Sequence, residues 1–204
     1  MTTTKKLVIA VVALSIALVG VVGGTLAWLV STTAEVKNTF TVGEIEITLD
    51  EADVDGSKTN ETTEGRDMAN AYKLVPHGTY AKDPTVHVNA NEKCYVFVKV
   101  QNDLATLNLE APGNTTIAAQ IDANGWTELE AGVYYKVFDP HTAGSSTDLV
   151  VFQSFTIADS VDKAALANVD STTVVTVTAY AIQYLGFEGN PADAWNTVSI
   201  AANG

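Results

Sequence analysis

The sequence lacks most of the residue patterns from which enzymes and metal sites are built. It has one cysteine, Cys94, so no intramolecular disulfide can form and the fold must rest on burial. Its three histidines, His77, His87 and His141, lack the His-Glu-x-x-His spacing that surrounds zinc with two imidazoles and a base. Phosphate-cradling glycine loops, Cys-x-x-Cys pairs and Gly-x-Ser-x-Gly elbows are also absent. The sequence therefore predicts no catalytic residues, no cofactor and no metal, and a protein that is not an enzyme.

Positive charge is scarce. The chain has 11 Lys and Arg against 24 Asp and Glu, a formal net charge of −13. Such an acidic surface disfavours nucleic acid and anionic membranes as partners. The acidic stretch after residue 49 leaves one alternative open, which is loose calcium binding by Asp50, Glu51, Asp53 and Asp55. Because this stretch departs from the EF-hand pattern, with Thr62 where the last ligand belongs, a solvated loop is the preferred interpretation.

The longest apolar run lies at the N-terminus. Lys5 and Lys6 precede 28 residues without a charge, at positions 7–34, and small residues stand at Thr25 and Ala27. This is the layout of a secretory signal peptide, with cleavage predicted between Ala27 and Trp28. The alternative is an uncleaved membrane anchor, because about 20 apolar residues span a bilayer. In both cases the rest of the chain lies outside the cytoplasm.

After the signal segment, the pattern is that of strands. We predict an extended N-terminal segment at residues 28–43 and one β-sandwich domain at residues 44–204. Period-two alternation and β-branched runs predict strands at residues 44–49, 85–89, 94–100, 126–129, 133–137, 149–157 and 173–184. The segment 94–100 is apolar almost throughout, so we expect a central strand covered on both faces, with Cys94 buried. The fold class is all-β, a single antiparallel sandwich.

Little of the sequence predicts helix. Residues 160–167 suit a short helix capped by Asp159 or Ser160. Residues 190–195 have a cap and a proline at the first helical position, so one or two turns are expected, with Trp195 fixing them to the sandwich. The polar stretch at residues 50–70 shows little periodicity, so we predict an exposed loop there.

Several motifs resemble a known family. Gly23-Gly24-Thr25-Leu26-Ala27-Trp28-Leu29 and Asn38-Thr39-Phe40-Thr41-Val42-Gly43, with the segments at residues 73–79, 82–86, 94–100 and 125–129, are similar to TasA/camelysin proteins. These are exported proteins of Gram-positive bacteria, processed by the SipW type of signal peptidase. The resemblance implies a jelly-roll sandwich that polymerises into fibres of the biofilm matrix. The implied partners are copies of itself, a related matrix protein, and signal peptidase during export. Camelysin relatives have been described as metalloproteases, but no zinc motif supports that activity here.

In such fibres, the segment after the cleavage site is thought to pair as a strand with a neighbouring subunit. Here Trp28, Val30, Thr32, Ala34 and Val36 share one face at period two. An extended segment with an apolar face can add to an unpaired sheet edge, so these five residues are the predicted polymerisation site. The alternative is a disordered tail left by processing.

The sequence thus predicts a structural protein, secreted to the extracellular matrix or the cell surface, that forms fibres by N-terminal strand addition. The alternative function is a secreted or membrane-anchored binding module that does not polymerise. A surface hydrolase is the third hypothesis. Contact with a membrane is expected only through an uncleaved signal segment.

Overall fold

A computed structural model describes residues 30–33, 37–38, 45–57, 61–142, 145–167, 169 and 173–203. The signal segment lies outside the described residues, as do four of the predicted site residues: Ala27, Trp28, Ala34 and Val36. None of the helices in the described ranges is long and apolar enough to cross a membrane.

The described chain is built mainly of strands. In order they are β1 (Val30–Thr33), β2 (Lys37–Asn38), β3 (Ile45–Ala52), β4 (Glu61–Thr63), β5 (Arg66–Asp67), β6 (Thr79–Ala81), β7 (Thr85–Ala90), β8 (Cys94–Asn102), β9 (Thr127–Glu130), β10 (Val133–Phe138), β11 (Asp148–Val150), β12 (Ser154–Thr156) and β13 (Val175–Gln183). The helices are α1 (Asp103–Thr106), α2 (Ile117–Ala123), α3 (Lys163–Leu166) and α4 (Pro191–Asn203).

The strands form two large antiparallel sheets and one small one. Six strands pair in the order β2-β1-β13-β8-β10-β9, and five pair in the order β11-β7-β3-β5-β4. Strands β12 and β6 form the third, two-stranded sheet. The prediction of an all-β antiparallel sandwich is confirmed.

The main core lies between the two large sheets. The strands alternate as predicted, so that Ile45, Ile47, Val86 and Val88 of the five-stranded sheet are buried against Val96 and Val98 of β8. Fully burying one such side chain is worth about 1.5–3 kcal/mol. Cys94 belongs to this core as a buried free thiol, and burial raises its pKa to about 12, so the prediction that it is buried is confirmed.

A second apolar cluster lies on the other side of the six-stranded sheet, beneath α4. It contains Tyr95 and Phe97 of β8, Ile182 of β13, and Trp195 and Val198 of α4. Successive residues of β8 therefore point into different clusters, which is why this strand is apolar at nearly every position. The predicted central strand with two covered faces is confirmed.

The strands predicted at residues 126–129 and 133–137 are present and form a hairpin. β9 and β10 pair antiparallel through a turn at Ala131 and Gly132. Gly132 has φ +76°, and a Cβ at this position would come within 2.8 Å of the Val100 carbonyl oxygen. Only glycine fits this turn, because both the backbone conformation and the close approach exclude a side chain.

Helix α4 is longer than predicted. Asn190 caps it by accepting a hydrogen bond from the Asp193 backbone N–H, at 3.3 Å, and Pro191 is its first residue. Trp195 is 7 % exposed, so the predicted contact with the sandwich is confirmed. The helix runs on to Asn203 because Val198 continues the buried stripe and no glycine or proline interrupts it.

The other helices differ from the predictions in part. The described residues contain four helices where one or two were expected. Helix α2 was missed, although its signal is present: Thr116 caps it and Ile117 and Ile121, one turn apart, are buried. Helix α3 is capped by Asp162 instead of Asp159 or Ser160, because its side chain accepts the Ala165 backbone N–H at 2.8 Å.

The prediction of one long strand at residues 149–157 is wrong. The structure has two short strands there, with β11 in the five-stranded sheet and β12 in the two-stranded sheet. Val151 and Phe152 between them are both fully buried, whereas neighbours in a regular strand point to opposite faces. Side chains supply hydrogen bonds to backbone carbonyls at this break. Trp126 Nε1 donates to the Val150 carbonyl, and Asn124 Nδ2 donates to the Val151 carbonyl.

Candidate functional site

One end of the six-stranded sheet is the first candidate site, because the N-terminal strands β1 and β2 form it, with β2 outermost. β1 pairs antiparallel with β13, and the register places Val30 opposite Ile182 and Thr32 opposite Tyr180. β13 is paired with β8 on its other side. Without β1, the outer edge of β13 would present unpaired backbone groups, which form a template for another strand.

The surroundings of β1 favour an extended apolar segment. Ile182 is fully buried in the cluster beneath α4, and the ring of Tyr180 meets that of Trp195 edge-on at 5.2 Å. β1 also contacts β3 and α4. The structure therefore places two of the five predicted polymerisation residues, Val30 and Thr32, in a strand bordered by β13, β2, β3 and α4.

A network of buried charges lies at the end of β3, where an exposed loop was predicted. Asp50 and Glu51 are only 8 % and 4 % exposed. Arg66 Nε bonds an Asp50 oxygen at 2.7 Å and its Nη1 bonds Asp83 at 3.0 Å, while Lys82 Nζ lies 2.6 Å from Glu51 Oε2. The loop prediction is wrong for these residues. Ion pairing offsets the free-energy cost of burying the carboxylates, and a hydropathy pattern does not reveal such pairing.

His87 extends this network on β7. Its Nε2 lies 2.9 Å from Asp50 and its Nδ1 lies 2.8 Å from Asp148. Burial lowers the pKa of His87, but the two carboxylates outweigh it and leave the pKa above its ordinary value. For Asp50, burial acts to raise the pKa, and the bonds from His87, Arg66 and Thr62 lower it further than burial raises it.

A second acidic group, formed by Asp53, Asp55 and Asp67, lies beside the network. One carboxylate oxygen from each residue lies within 4.8 Å of the others. The four carboxylates considered for calcium in the sequence are thus divided. Asp50 and Glu51 are in ion pairs, whereas Asp53 and Asp55 join Asp67, which sequence reasoning missed because it is 12 residues further along the chain.

Comparison with known proteins places the chain in a family. The sequence profile of a family described as camelysin metallo-endopeptidase matches residues 2–107, just over half of the chain. The chain belongs to the TasA/camelysin family. The searches of curated proteins and of solved structures gave no match. The family consists of exported proteins, and membership supports a secreted structural protein.

The family description implies a metal, and we tested whether the described residues fit a peptidase zinc. His77 pairs with Asp159 in an exposed turn, His87 belongs to the charge network, and His141 is exposed in the turn after β10. Within the described ranges, the three-aspartate group is the one cluster with metal-ligand spacing, and it contains neither histidine nor cysteine. Catalytic zinc in peptidases is held mainly by histidine nitrogen, so these residues do not fit it.

Proposed function

We propose that this TasA/camelysin protein is a secreted structural subunit that forms extracellular fibres of a biofilm matrix by strand addition. In the fibre, β1 of one copy lies beside β13 of the next. The observation that carries the proposal is the pairing of β1 with β13 near one end of the sheet, by a strand that precedes the sandwich in the sequence.

Exchange of this strand between copies costs little in contacts. The backbone bonds that β1 makes to β13 within one chain are the bonds it makes to a neighbour, so pairing is conserved. Main-chain bonds supply affinity, and alternate side chains, with Val30 opposite Ile182, supply register. Because the donor strand and the acceptor edge are different surfaces, the contact is head-to-tail and repeats into a filament.

Export and processing belong to the same proposal. Residues 1–27 act as a signal peptide, and a SipW-type peptidase cleaves between Ala27 and Trp28, which frees the segment 28–43 for assembly. The partners are further copies of the chain and a related matrix protein. No peptidase activity is proposed, since the one cluster with metal-ligand spacing among the described residues contains no histidine.

One observation favours a second function. In the structure, β1 pairs with β13 of its own chain, as it would in a closed monomer. In that case the protein is a secreted or membrane-anchored binding module that does not polymerise.

Truncation tests whether the N-terminal segment is needed. A chain starting at Trp28 should form filaments in negative-stain images, whereas a chain starting at Glu35 should stay folded and monomeric. Val30→Asp should weaken assembly at least about tenfold, because it places a charge opposite the buried Ile182. Ser31→Ala is the matched control and should assemble normally. Equal polymerisation of the truncated chain would refute strand addition.

Cross-linking separates exchange from closure. Ser31 and Ala181 are opposed in the β1–β13 register, and opposed antiparallel residues lie within disulfide reach. A mixture of the Ser31→Cys chain with the Ala181→Cys chain should yield disulfide-linked dimers on oxidation, visible on a non-reducing gel. The native Cys94 is buried and does not interfere. Absence of mixed dimers, with ready closure in the double variant, would favour the monomeric module.

A further inference from the structure

We propose that Asp53, Asp55 and Asp67 form a calcium-binding site at the end of β3. This proposal is independent of fibre assembly and of peptidase activity. It departs from the sequence-based prediction of no metal and takes up the calcium alternative with a different set of residues.

The geometry of the three carboxylates suits a shared ion. One oxygen from each lies within 4.8 Å of the others. Calcium binds oxygen at 2.3–2.6 Å, so two ligands on opposite sides of the ion lie about 4.6–5.2 Å apart. All three oxygens can therefore belong to one coordination sphere.

Asp67 provides an independent sign of a missing ligand. Its side chain is fully buried, and its Oδ2 has no hydrogen-bond partner among the described residues. The other oxygen, Oδ1, accepts from the backbone N–H of Met68 at 2.6 Å and of Ala69 at 3.4 Å. A buried carboxylate oxygen without a partner is costly, and a cation in the adjacent cluster removes that cost.

The two cations of the adjacent charge network are already engaged. Arg66 bonds Asp50 and Asp83, and Lys82 bonds Glu51. Among the described residues, none of the three clustered aspartates forms a salt bridge. Three carboxylates at such short separation repel one another, and the protein supplies no described side chain to neutralise them.

The ligand set selects the ion. All the side-chain donors are carboxylate oxygens, which suit hard cations and not zinc. Asp53 is half-buried and Asp55 is exposed, so one side of the site is open to water molecules that complete a coordination number of six to eight. A set of three carboxylates with water suits the affinity of extracellular modules, with a Kd of about 10⁻⁴–10⁻³ M.

Calcium at this site would tie two parts of the five-stranded sheet together. Asp53 directly follows β3, and Asp67 lies in β5, opposite Glu51 of β3 in the register. The backbone N–H of Asp53 also donates to the Gly65 carbonyl at 3.0 Å. The ion would thus fix the β4–β5 hairpin against the end of β3.

A thermal titration tests the site. The full chain, purified in mild detergent and stripped with EDTA, is melted in rising CaCl₂ and, separately, in MgCl₂. Calcium at 10 mM should raise Tm by about 3–10 °C, with MgCl₂ giving a smaller shift. Asp53→Asn and Asp67→Asn should each weaken calcium binding at least about tenfold, measured by calorimetry.

Glu61→Gln is the matched control. Glu61 is exposed and opposes Asp67 in the β4–β5 register, but it lies outside the cluster, so this variant should keep the full calcium response. If Asp67→Asn fails to fold, Asp55→Asn at its exposed position carries the same test. The proposal is overturned if calcium gives no shift, if magnesium gives an equal one, or if the aspartate variants respond like the wild-type chain.

Discussion

The two apolar clusters of this protein are enclosed in different ways. The core between the sheets contains Trp126 at 2 % exposure, and its walls come from strands spread over most of the described chain. The cluster beneath α4 contains Trp195 at 7 % exposure, and one helix near the C-terminus forms its outer wall. Both indoles are hydrogen-bonded, Trp126 to the Val150 carbonyl and Trp195 to a Glu130 carboxylate oxygen, each at 2.8 Å.

This difference bears on how the molecule opens. The core between the sheets cannot be exposed without separating both sheets, so its residues unfold with the whole domain. Helix α4 can detach while the strands stay paired, because it is a single element packed on the outside of the six-stranded sheet. Since α4 also contacts β1, the more easily opened cluster is next to the strand that we propose is exchanged between subunits.

The largest expected effect is in the core between the sheets. Trp126→Ala should lower the free energy of unfolding by about 3–5 kcal/mol, because it leaves a large cavity and an unpaired Val150 carbonyl. Denaturant unfolding measures this loss, and hydrogen exchange should speed up in both large sheets. A loss below about 1 kcal/mol would mean that the core relaxes around the cavity. It would contradict the view that packing at Trp126 holds the two sheets together.

A smaller and more local effect is expected beneath α4. Trp195→Ala should cost about 2–3 kcal/mol, less than Trp126→Ala, because a helix at the surface relaxes more easily than two packed sheets. Hydrogen exchange should increase in α4 while β8 stays protected. The control is Ile200→Ala on the same helix, where Ile200 is 74 % exposed and the change should be within about 0.5 kcal/mol. Equal loss of protection in β8 would contradict the separation of the two clusters.

The smallest expected effect is at the His87–Asp50 ion pair, in the charge network at the end of β3. The pKa of His87 is raised in the folded state, so its contribution is complete below its ordinary value of 6.5 and is lost as pH rises through the folded pKa. The pKa of Asp50 is lowered, so its contribution is present above 3.8 and is lost as pH falls through the folded value. Both contributions are therefore present between pH 3.8 and 6.5.

His87→Asn tests the contribution of this ion pair to stability. The variant should lose about 0.5–1 kcal/mol at pH 6, because the pair with Asp50 is partly exposed to solvent, and less at pH 8.5. Unfolding curves at the two pH values measure the difference. His141→Asn, at an exposed turn, is the control and should leave the pH dependence unchanged. An equal loss at both pH values would show that His87 acts by packing and not by charge.

Much of the sandwich could be predicted from local patterns. Strands such as β7 and β13 show β-branched alternation, and β8 shows the continuous apolar run of a strand with two covered faces. The break between β11 and β12 could not be predicted, because Val151 and Phe152 suit a strand by composition. Bonds from residues distant in the chain hold that irregular segment, including those from the Trp126 and Asn124 side chains to the Val150 and Val151 carbonyls.

The candidate sites show the same division. The sequence by itself determined an acidic, disulfide-free β protein, a buried Cys94, a helix anchored by Trp195 and an N-terminal segment with an apolar period-two face, because each depends on residues close together in the chain. The tertiary structure decided which carboxylates are paired and which are not. Arg66 and His87 reach Asp50, while Asp67 folds back beside Asp53. It also decided that β1 lies beside β13, about 150 residues away, and such pairing follows from the packing of whole sheets and not from any local pattern.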